Sequence, residues 1–337
     1  MKTAHGESNE MECEQKAIRV TEPEHAELVT VAGDASPLGP TEVVGRTLFS
    51  LVSAGTELAV YRGLTGNLPR GLGYASVFEV EDTGEDVEAV LAGDVVFSMG
   101  GHQSRQRHDA SEVVPVPEGL APERAVFARL MAVSQTTLVT TEARPPGRVV
   151  VTGLGLVGNL AAQVFASCGY TVSAVEPRED RRELARRAGV EPVFAAAPLE
   201  DEEWAGTVDL VVECSGHEAA ALDGCRLVRK GGEVVLVGVP WEKRAGLDAF
   251  DILDEVFHRY VTLRSGWEWE LPRHDRDFAR GSIYRNLAGG LGWLVEGRVR
   301  TDGLAEAIPP EQAGEAYRAL SQSQCPTLTY LFDWQVV

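Results

Sequence analysis

The sequence has few cysteines, fewer basic than acidic residues, and no long apolar run. Five cysteines are spread over 337 residues, and their odd number and irregular spacing exclude a disulfide framework and a paired-cysteine metal knuckle. The sequence has 31 Lys and Arg residues but 51 Asp and Glu residues, which gives a net charge of −20. This charge argues against nucleic acid or an anionic membrane surface as partner. No run of about 18 apolar residues is present to span a membrane.

These absences describe a globular protein of a reducing compartment, which we expect to be the cytoplasm. Residues 1–14 are polar and acidic, lack the apolar centre of a signal peptide, and are predicted to form a disordered tail. At roughly 150 residues per domain, the length suggests about two domains.

The hydrophobic pattern changes near Pro145. Before this point, short β-like runs separated by Gly, Pro and Asp predict an antiparallel, barrel-like region with strands at 42–52, 76–81, 94–98 and 113–117. After it, Val-rich strands at 148–152, 171–176, 208–214, 233–239 and 261–265 alternate with helices at 156–168, 179–188 and 218–228. Such alternation is typical of a parallel sheet covered by helices on both faces. The end predicts a helix over 275–296, a helix after residues 309–310, and a strand over 327–334 that returns to the first domain.

A G-x-G-x-x-G motif lies between the predicted strand 148–152 and the helix that follows it. In this context the motif predicts a dinucleotide site, because its three glycines allow a tight turn, the close approach of a pyrophosphate, and close packing of the helix on the strand. The helix N-terminus would hold the diphosphate. We expect cofactor contacts from Gly153, Leu154, Gly155, Leu156, Val157 and Gly158.

Glu176 ends the next strand, about 20 residues after the central glycine, where an acidic residue accepts hydrogen bonds from the adenosine ribose. This favours NAD(H). Three arginines follow closely and could instead hold the 2′-phosphate of NADP(H), namely Arg178, Arg181 and Arg182. The carboxyl ends of the next two strands should border the ribose and nicotinamide, which adds Cys214, Ser215, Val237, Gly238 and Val239. Cys214 is expected to be a small buried residue rather than a nucleophile.

At this point the sequence resembles the medium-chain dehydrogenase/reductase family, the zinc-alcohol-dehydrogenase-like superfamily. The resemblance is carried by GRTLFSLVSAGTELAVYRG (45–63), GLGYASVFEV (71–80), LAGDVVFS (91–98), GRVVVTGLGLVG (147–158), VDLVVECSG (208–216), LVRKGGEVVLVGVP (227–240) and AYRAL (316–320). It implies an α/β chain with a GroES-like β-barrel catalytic domain (15–122 and 271–337) and a Rossmann doubly wound domain (123–270). It also implies an active site in the cleft between them, and a homodimer formed through the last Rossmann strands.

The chain departs from the family at its zinc motifs. Zinc members read Cys-Gly-Thr-Asp where this sequence has Ala54-Gly55-Thr56-Glu57, and Gly-His-Glu where it has Gly73-Tyr74-Ala75. The third zinc-binding Cys would fall around residues 129–131, and the four cysteines of the structural zinc lobe are absent. Zinc requires three or four Cys, His or carboxylate ligands, so we expect no metal at either site.

Without zinc, a developing oxyanion needs hydrogen-bond donors or a proton source. By resemblance, Thr56 is at the position that relays the substrate proton, and Tyr74 replaces a zinc-binding His, so it would either donate a proton or merely fill the vacated space. Glu57 is at the position of an acid behind the metal ligands, with a buried structural hydrogen bond as the alternative. His102 would line the cleft as an acid or base, or be a loop histidine that is at the surface or bonded to backbone.

Trp267 and Trp269 follow a predicted sheet strand, and they would either form an aromatic wall for the substrate or pack between the domains. The sequence thus predicts a zinc-independent NAD(P)(H)-dependent oxidoreductase. It would transfer hydride between nicotinamide and a C=O or a conjugated C=C or C=N bond of a small organic molecule. The alternative is a redox-silent NAD(P)-binding protein that has lost catalysis along with the metal.

Overall fold

The first part of the chain folds into antiparallel β-structure in the computed structural model, which describes residues 14–336. Its elements are β1 (Glu14–Glu22), β2 (His25–Ala32), β3 (Glu42–Leu51), α1 (Ala54–Tyr61), β4 (Arg70–Gly71), β5 (Ser76–Thr83), β6 (Val95–Ser98), β7 (Arg105–Asp109), β8 (Val113–Pro115), α2 (Pro122–Ala125) and α3 (Ala128–Thr140). The first sheet has the order β2-β1-β4, and β3, β5, β6, β7 and β8 belong to the second. The three helices follow or interrupt these strands.

A six-stranded parallel sheet follows, with helices between its strands. Its order is β11-β10-β9-β12-β13-β14, the 3-2-1-4-5-6 arrangement of a doubly wound dinucleotide-binding fold. The central strands are buried on both faces, which is why they read as unbroken Val-rich runs. The elements are β9 (Arg148–Thr152), α4 (Leu156–Ser167), β10 (Thr171–Val175), α5 (Glu179–Arg187), β11 (Val193–Phe194), β12 (Val208–Glu213), α6 (Glu218–Leu227), β13 (Val228–Leu236), α7 (Ala249–Arg259) and β14 (Thr262–Ser265).

The C-terminal segment returns to the first part of the chain. It comprises α8 (Ile283–Val295), β15 (Ala305–Ile308), α9 (Ala313–Ser321) and β16 (Thr329–Asp333). Strand β16 pairs antiparallel with β3 and parallel with β15, so the second sheet reads β15-β16-β3-β5-β6-β8, with β7 also on β3. Short 3₁₀ helices occur at Ala110–Glu112, Glu268–Glu270, Pro310–Gln312 and Trp334–Val336.

One apolar cluster joins the barrel sheet to the helices beside it. Leu51 and Phe97 from the barrel pack in the same cluster as Leu130 of α3, Leu160 of α4 and Leu287 of α8. Helix α3 therefore lies between the barrel and the parallel sheet, so residues at its start can reach the space between them. Among residues 14–336, every helix is too short or too polar to cross a bilayer.

The predicted fold class is confirmed, and several element boundaries are corrected. The helix predicted over 275–296 begins only at Ile283, because Phe278 has a φ of 65° and the Ser282 side chain caps the helix by accepting from the Arg285 N–H at 3.2 Å. The structure also contains the β1–β2 hairpin and helices α3 and α7, which the sequence analysis did not predict. The tail predicted over 1–14 lies outside the described residues except for Glu14, which begins β1.

Candidate functional site

The glycine motif forms an open cradle at the carboxyl end of β9. Gly153 has a φ of +80°, and a Cβ there would lie 2.9 Å from the Ser215 Cα. A Cβ at Gly158 would overlap the Gly153 carbonyl oxygen at 1.8 Å, so this glycine allows α4 to pack against the strand. A Cβ at Gly155 would meet only the Arg181 Nη1, at 4.0 Å. The middle glycine is thus the one that faces free space.

Helix α4 begins at Leu156 without a side-chain cap on Gly155. The first backbone N–H groups of a helix have no partner inside the helix, and together with the helix dipole they favour an anion. Leu154 and Leu156 are buried and Val157 is half-buried, so these side chains anchor the loop while the first backbone N–H groups of α4 remain available. The geometry fits the diphosphate of a dinucleotide.

Glu176 lies directly after β10 and supports the glycine loop. Its Oε2 accepts from the Leu154 N–H at 2.8 Å and its Oε1 from the Arg178 N–H at 3.0 Å, and the residue is 3% exposed. Arg181 lies 3.7 Å from the same Oε2. Arg178 and Arg182 are engaged elsewhere, with Asp180, Glu179 and backbone carbonyls as partners. Arg181 is therefore the arginine of this group that faces the cradle.

The loops that follow β12 and β13 lie next to the glycine motif. The Val237 and Gly238 N–H groups both donate to the Glu213 carbonyl, at 2.8 and 2.7 Å. A Cβ at Gly238 would lie 2.2 Å from the Gly216 N, so the two loops touch through backbone. Ser215 bonds the Glu213 carboxylate through both its N–H and its hydroxyl. Val239 is exposed.

Cys214 as a whole residue is half-buried, whereas its Sγ atom is enclosed. It packs against the apolar cluster of the parallel sheet. Burial raises the pKa of the Cys214 thiol well above its usual value, and a thiol held in its neutral form is a poor nucleophile. This environment fits the small buried residue that the sequence favoured.

On the barrel side lies the phenol of Tyr74, the residue that the sequence analysis expects in place of a zinc ligand. The Tyr74 hydroxyl donates to the Ser53 Oγ and lies 3.4 Å from the Thr56 Oγ1. Burial raises the pKa of the Tyr74 phenol above its usual value, although the positive charge of Arg129 opposes that shift. The phenol is therefore protonated at neutral pH. Tyr74 and Thr56, which the sequence predicted separately, share one hydrogen-bonding group.

A charged residue that no sequence motif singled out lies beside this phenol, and it is paired with a second one. Arg129, on α3, is 3% exposed, and its Cζ lies 4.8 Å from the centre of the Tyr74 ring. Its Nη1 and Nη2 donate to the two carboxylate oxygens of Glu268 at 2.6 and 2.5 Å. In the sequence, these two residues could have been noticed only as a lone arginine in an apolar helix and a glutamate between two tryptophans.

His102 and Glu57 form a separate buried network. The His102 Nε2 lies 3.0 Å from the Glu57 Oε2 and its Nδ1 lies 2.8 Å from the Ser50 Oγ. Glu57 also accepts from the Tyr317 hydroxyl and from the Ser53 N–H, the latter at 2.7 Å. Burial opposes ionisation of Glu57, yet the charge and hydrogen bond of His102, aided by Tyr317 and Ser53, lower its pKa.

The expectation that His102 lines the substrate cleft is therefore corrected. His102 is 1% exposed, because its N–H donates to the Leu72 carbonyl and the backbone of Gly73 packs directly on its ring. Both ring nitrogens already have partners. Glu57 has the buried hydrogen-bonding role that the sequence analysis gave as its alternative. Its bond to the Ser53 N–H connects this network to the hydrogen-bonded residues around the Tyr74 phenol.

Trp267 and Trp269 flank the buried Glu268 after β14. They are 68% and 45% exposed, so neither is packed between the domains. Glu268 is turned inward to Arg129 while its two neighbours remain at the surface. Of the two roles expected for these tryptophans, the aromatic wall for a substrate is the one that agrees with their exposure.

The side chains at the positions that the sequence analysis compares with zinc ligands, the third of them around residues 129–131, do not suit zinc. Ala54 offers no donor atom, Tyr74 offers a protonated phenol, and Arg129 adds a buried positive charge that would repel a cation. Within residues 14–336, no three His, Cys, Asp or Glu side chains are grouped closely enough to hold an ion.

The fold and the glycine cradle resemble those of known dehydrogenases. Residues 157–269 match the family model described as zinc-binding dehydrogenase. This segment is part of the parallel-sheet region and excludes positions 54, 74 and 129, so the match does not bear on the metal.

Known proteins with similar sequences agree with this class. The chain is 31% identical over 235 residues to an alcohol dehydrogenase of Geobacillus stearothermophilus, a match covering 67% of this chain and 62% of that protein. It is 25% identical to a glucose 1-dehydrogenase of Methanocella arvoryzae, covering 87% of this chain and 96% of that protein. The solved structure of acetophenone reductase from Geotrichum candidum in complex with NAD has a TM-score of 0.77 at 16% identity, covering 97% and 99% of the two chains.

These comparisons support the resemblance to the medium-chain dehydrogenase/reductase family. The two sequence relatives are dehydrogenases that resemble the chain over more than half of its length. The solved structure shows that the fold extends over almost the whole chain. The predicted fold is confirmed, and the predicted enzyme and cofactor classes agree with these proteins.

Proposed function

We propose that the protein is a zinc-independent NAD(P)(H)-dependent oxidoreductase that acts on a C=O or a conjugated C=C or C=N bond of a small organic molecule. The observation that carries this proposal is the Tyr74 phenol. It is protonated, bonded to Ser53 and near Thr56, at the position where the family resemblance puts a zinc-binding His. An intact cofactor cradle combined with a proton donor in place of a metal is what hydride transfer without zinc requires.

The cofactor preference that we propose is NAD(H). When bound, the nicotinamide supplies or accepts the hydride. Glu176 places a carboxylate beneath the glycine loop, where it would repel a 2′-phosphate. Arg181, 3.7 Å from that carboxylate, is the residue that would serve NADP(H) instead.

In the direction of reduction, Tyr74 donates the proton that balances the hydride. For a carbonyl, the hydride adds to carbon and the phenol proton moves to oxygen, which gives the alcohol. Ser53 accepts from the phenol before the transfer, its own hydroxyl then donates to the phenolate, and Thr56 offers a second hydroxyl at 3.4 Å. Glu57 holds the Ser53 backbone in place, so its part is positional.

The test separates catalysis from cofactor binding. NADH and NADPH affinities are measured by calorimetry, and NADH oxidation is then followed with acetophenone, diacetyl, cyclohexenone and pyrroline. We expect oxidation with at least one acceptor, and a loss of about 10²–10⁴-fold in kcat for Tyr74→Phe with cofactor affinity retained. Tight NADH binding without oxidation by any acceptor would favour the redox-silent alternative.

We also propose that the protein is a homodimer formed at the β14 edge of the parallel sheet. Strand β14 is the outer strand of that sheet. Helix α7 precedes it and exposes an apolar stripe of Phe250, Leu253, Phe257 and the adjoining Tyr260, each 63–78% exposed. A second copy would cover such a stripe. The cytoplasmic location stays a prediction from the cysteine pattern.

A further inference from the structure

Arg129 is a charge that the fold takes out of water at some cost. It lies on α3 among apolar neighbours, with Leu130 and Met131 in the core cluster that joins the two domains. A buried charge is tolerated only when it is paired and hydrogen-bonded. The structure therefore has a specific arrangement around this guanidinium, and the arrangement shows what the charge faces.

The guanidinium has two occupied sides. Its terminal nitrogens bind both oxygens of Glu268 in a fork, and its Cζ lies 4.8 Å from the Tyr74 ring centre. A planar guanidinium can pair through its edge and stack through its face at the same time, which an ammonium group cannot do. Its Nε is buried and has no hydrogen-bond partner among residues 14–336.

The charged groups around the phenol can be named from each packed element. Arg129 faces Tyr74 from α3, Glu57 faces it from α1, and Glu268 lies on the other edge of Arg129. Ser53 and Thr56 are neutral partners. A positive charge at this distance stabilises the phenolate that remains after proton donation, and Glu57 opposes it. Of these groups, Arg129 is the one that favours donation by its charge.

We propose that Arg129 is the positioning residue that replaces the electrostatic role of zinc, holding the Tyr74 ring in place and making its phenol a stronger proton donor. This inference rests on the proposed function of Tyr74. Glu268 balances the charge and ties it to the segment between Trp267 and Leu271. The site thus keeps a fixed positive charge beside the phenol, and that charge acts on the substrate through the phenol.

The first test needs no substrate. Fluorotyrosine replaces all seven tyrosines, and fluorine NMR follows each phenol with pH, with Tyr74→Phe assigning the signal. The double variant Arg129→Gln/Glu268→Gln removes both charges and leaves two amides that can pair. We expect the Tyr74 midpoint to rise by about one pH unit. The matched control Arg129→Lys keeps the charge and should hold the midpoint near that of the unsubstituted chain.

If the double variant does not fold, Glu268→Gln alone gives the answer. It leaves the Arg129 charge unbalanced, so the Tyr74 midpoint should fall. A Tyr74 midpoint that stays in place in whichever of these two variants folds would overturn the inference.

Kinetics supply the second readout, with the acceptor that the unsubstituted protein reduces fastest. Loss of both charges should lower kcat about tenfold when Tyr74 is present. In the Tyr74→Phe background, the same loss of charges should cause no further decrease in kcat. An equal loss in both backgrounds would mean that Arg129 acts independently of the phenol, and the inference fails. Unchanged kcat in Tyr74→Phe would instead remove the proposed function, while the NMR result would still decide whether Arg129 tunes the phenol.

Discussion

A methyl group added at Gly155 separates cofactor binding from folding. Its nearest contact would be the Arg181 Nη1 at 4.0 Å, and Gly155 has a φ of −61°, which alanine adopts without strain. Alanine also reduces the entropy of the unfolded chain, by about 0.4–1 kcal/mol, and this offsets its poorer fit at a helix N-cap. The free energy of unfolding should therefore change by less than about 1 kcal/mol.

Cofactor affinity should respond far more strongly, because the methyl group would lie where the diphosphate approaches the backbone. Loss of one charge-assisted hydrogen bond of about 2 kcal/mol corresponds to roughly 30-fold in Kd. Calorimetric titration of Gly155→Ala with NADH and NADPH measures this, and urea unfolding measures stability.

Gly158→Ala is the matched contrast. Its Cβ would lie 1.8 Å from the Gly153 carbonyl oxygen, so α4 must shift away from the strand and the protein should lose several kcal/mol, as overpacked sites do. If Gly155→Ala binds both cofactors as tightly as the unsubstituted chain, the diphosphate does not lie on this loop and the reasoning is refuted.

Three further substitutions test other parts of the site and the surface. Glu176→Gln should lower the ratio of NADH to NADPH affinity, because the repelling carboxylate is lost; an unchanged ratio in competitive titrations contradicts its role. Glu57→Gln should cost about 3 kcal/mol of unfolding free energy at neutral pH. The folded-state pKa of Glu57 lies below its ordinary 4.5, so its contribution is complete above that pH and disappears as the pH falls through the lowered value. Urea unfolding should be measured at neutral and at acidic pH. The difference in unfolding free energy between Glu57→Gln and the unsubstituted protein should become smaller in acid. Phe257→Glu should convert a dimer into monomers of 36.3 kDa in sedimentation, whereas an unaffected dimer excludes α7 from the interface.

The parallel sheet was predictable because its strands are buried on both faces. Runs such as Arg148–Thr152 and Val208–Glu213 are continuous, mostly apolar segments bounded by turn residues, and the alternation of strand and helix indicates that the strands are parallel. The β1–β2 hairpin was not predicted, since polar and charged residues dominate this stretch of the chain, although Ile18 and Val20 are fully buried.

The candidate site was only partly predictable. Thr56 and Tyr74 could be selected because each belongs to a short family motif. Arg129 and Glu268 are 139 residues apart, and their ion pair depends on how α3 and the segment after β14 pack together, which no local pattern encodes. The burial of His102 likewise depends on contacts with Gly73 and Glu57 across the barrel.

The central claim is that hydride transfer proceeds without zinc and uses the Tyr74 phenol as the proton donor. The most direct measurement is the rate of NADH oxidation by chelator-treated protein of determined zinc content, with Tyr74→Phe measured alongside. The account predicts full activity at negligible zinc, and a loss of at least about 100-fold in the variant with NADH affinity preserved. Activity that disappears with a stoichiometric zinc ion, or that survives removal of the phenol, would contradict it.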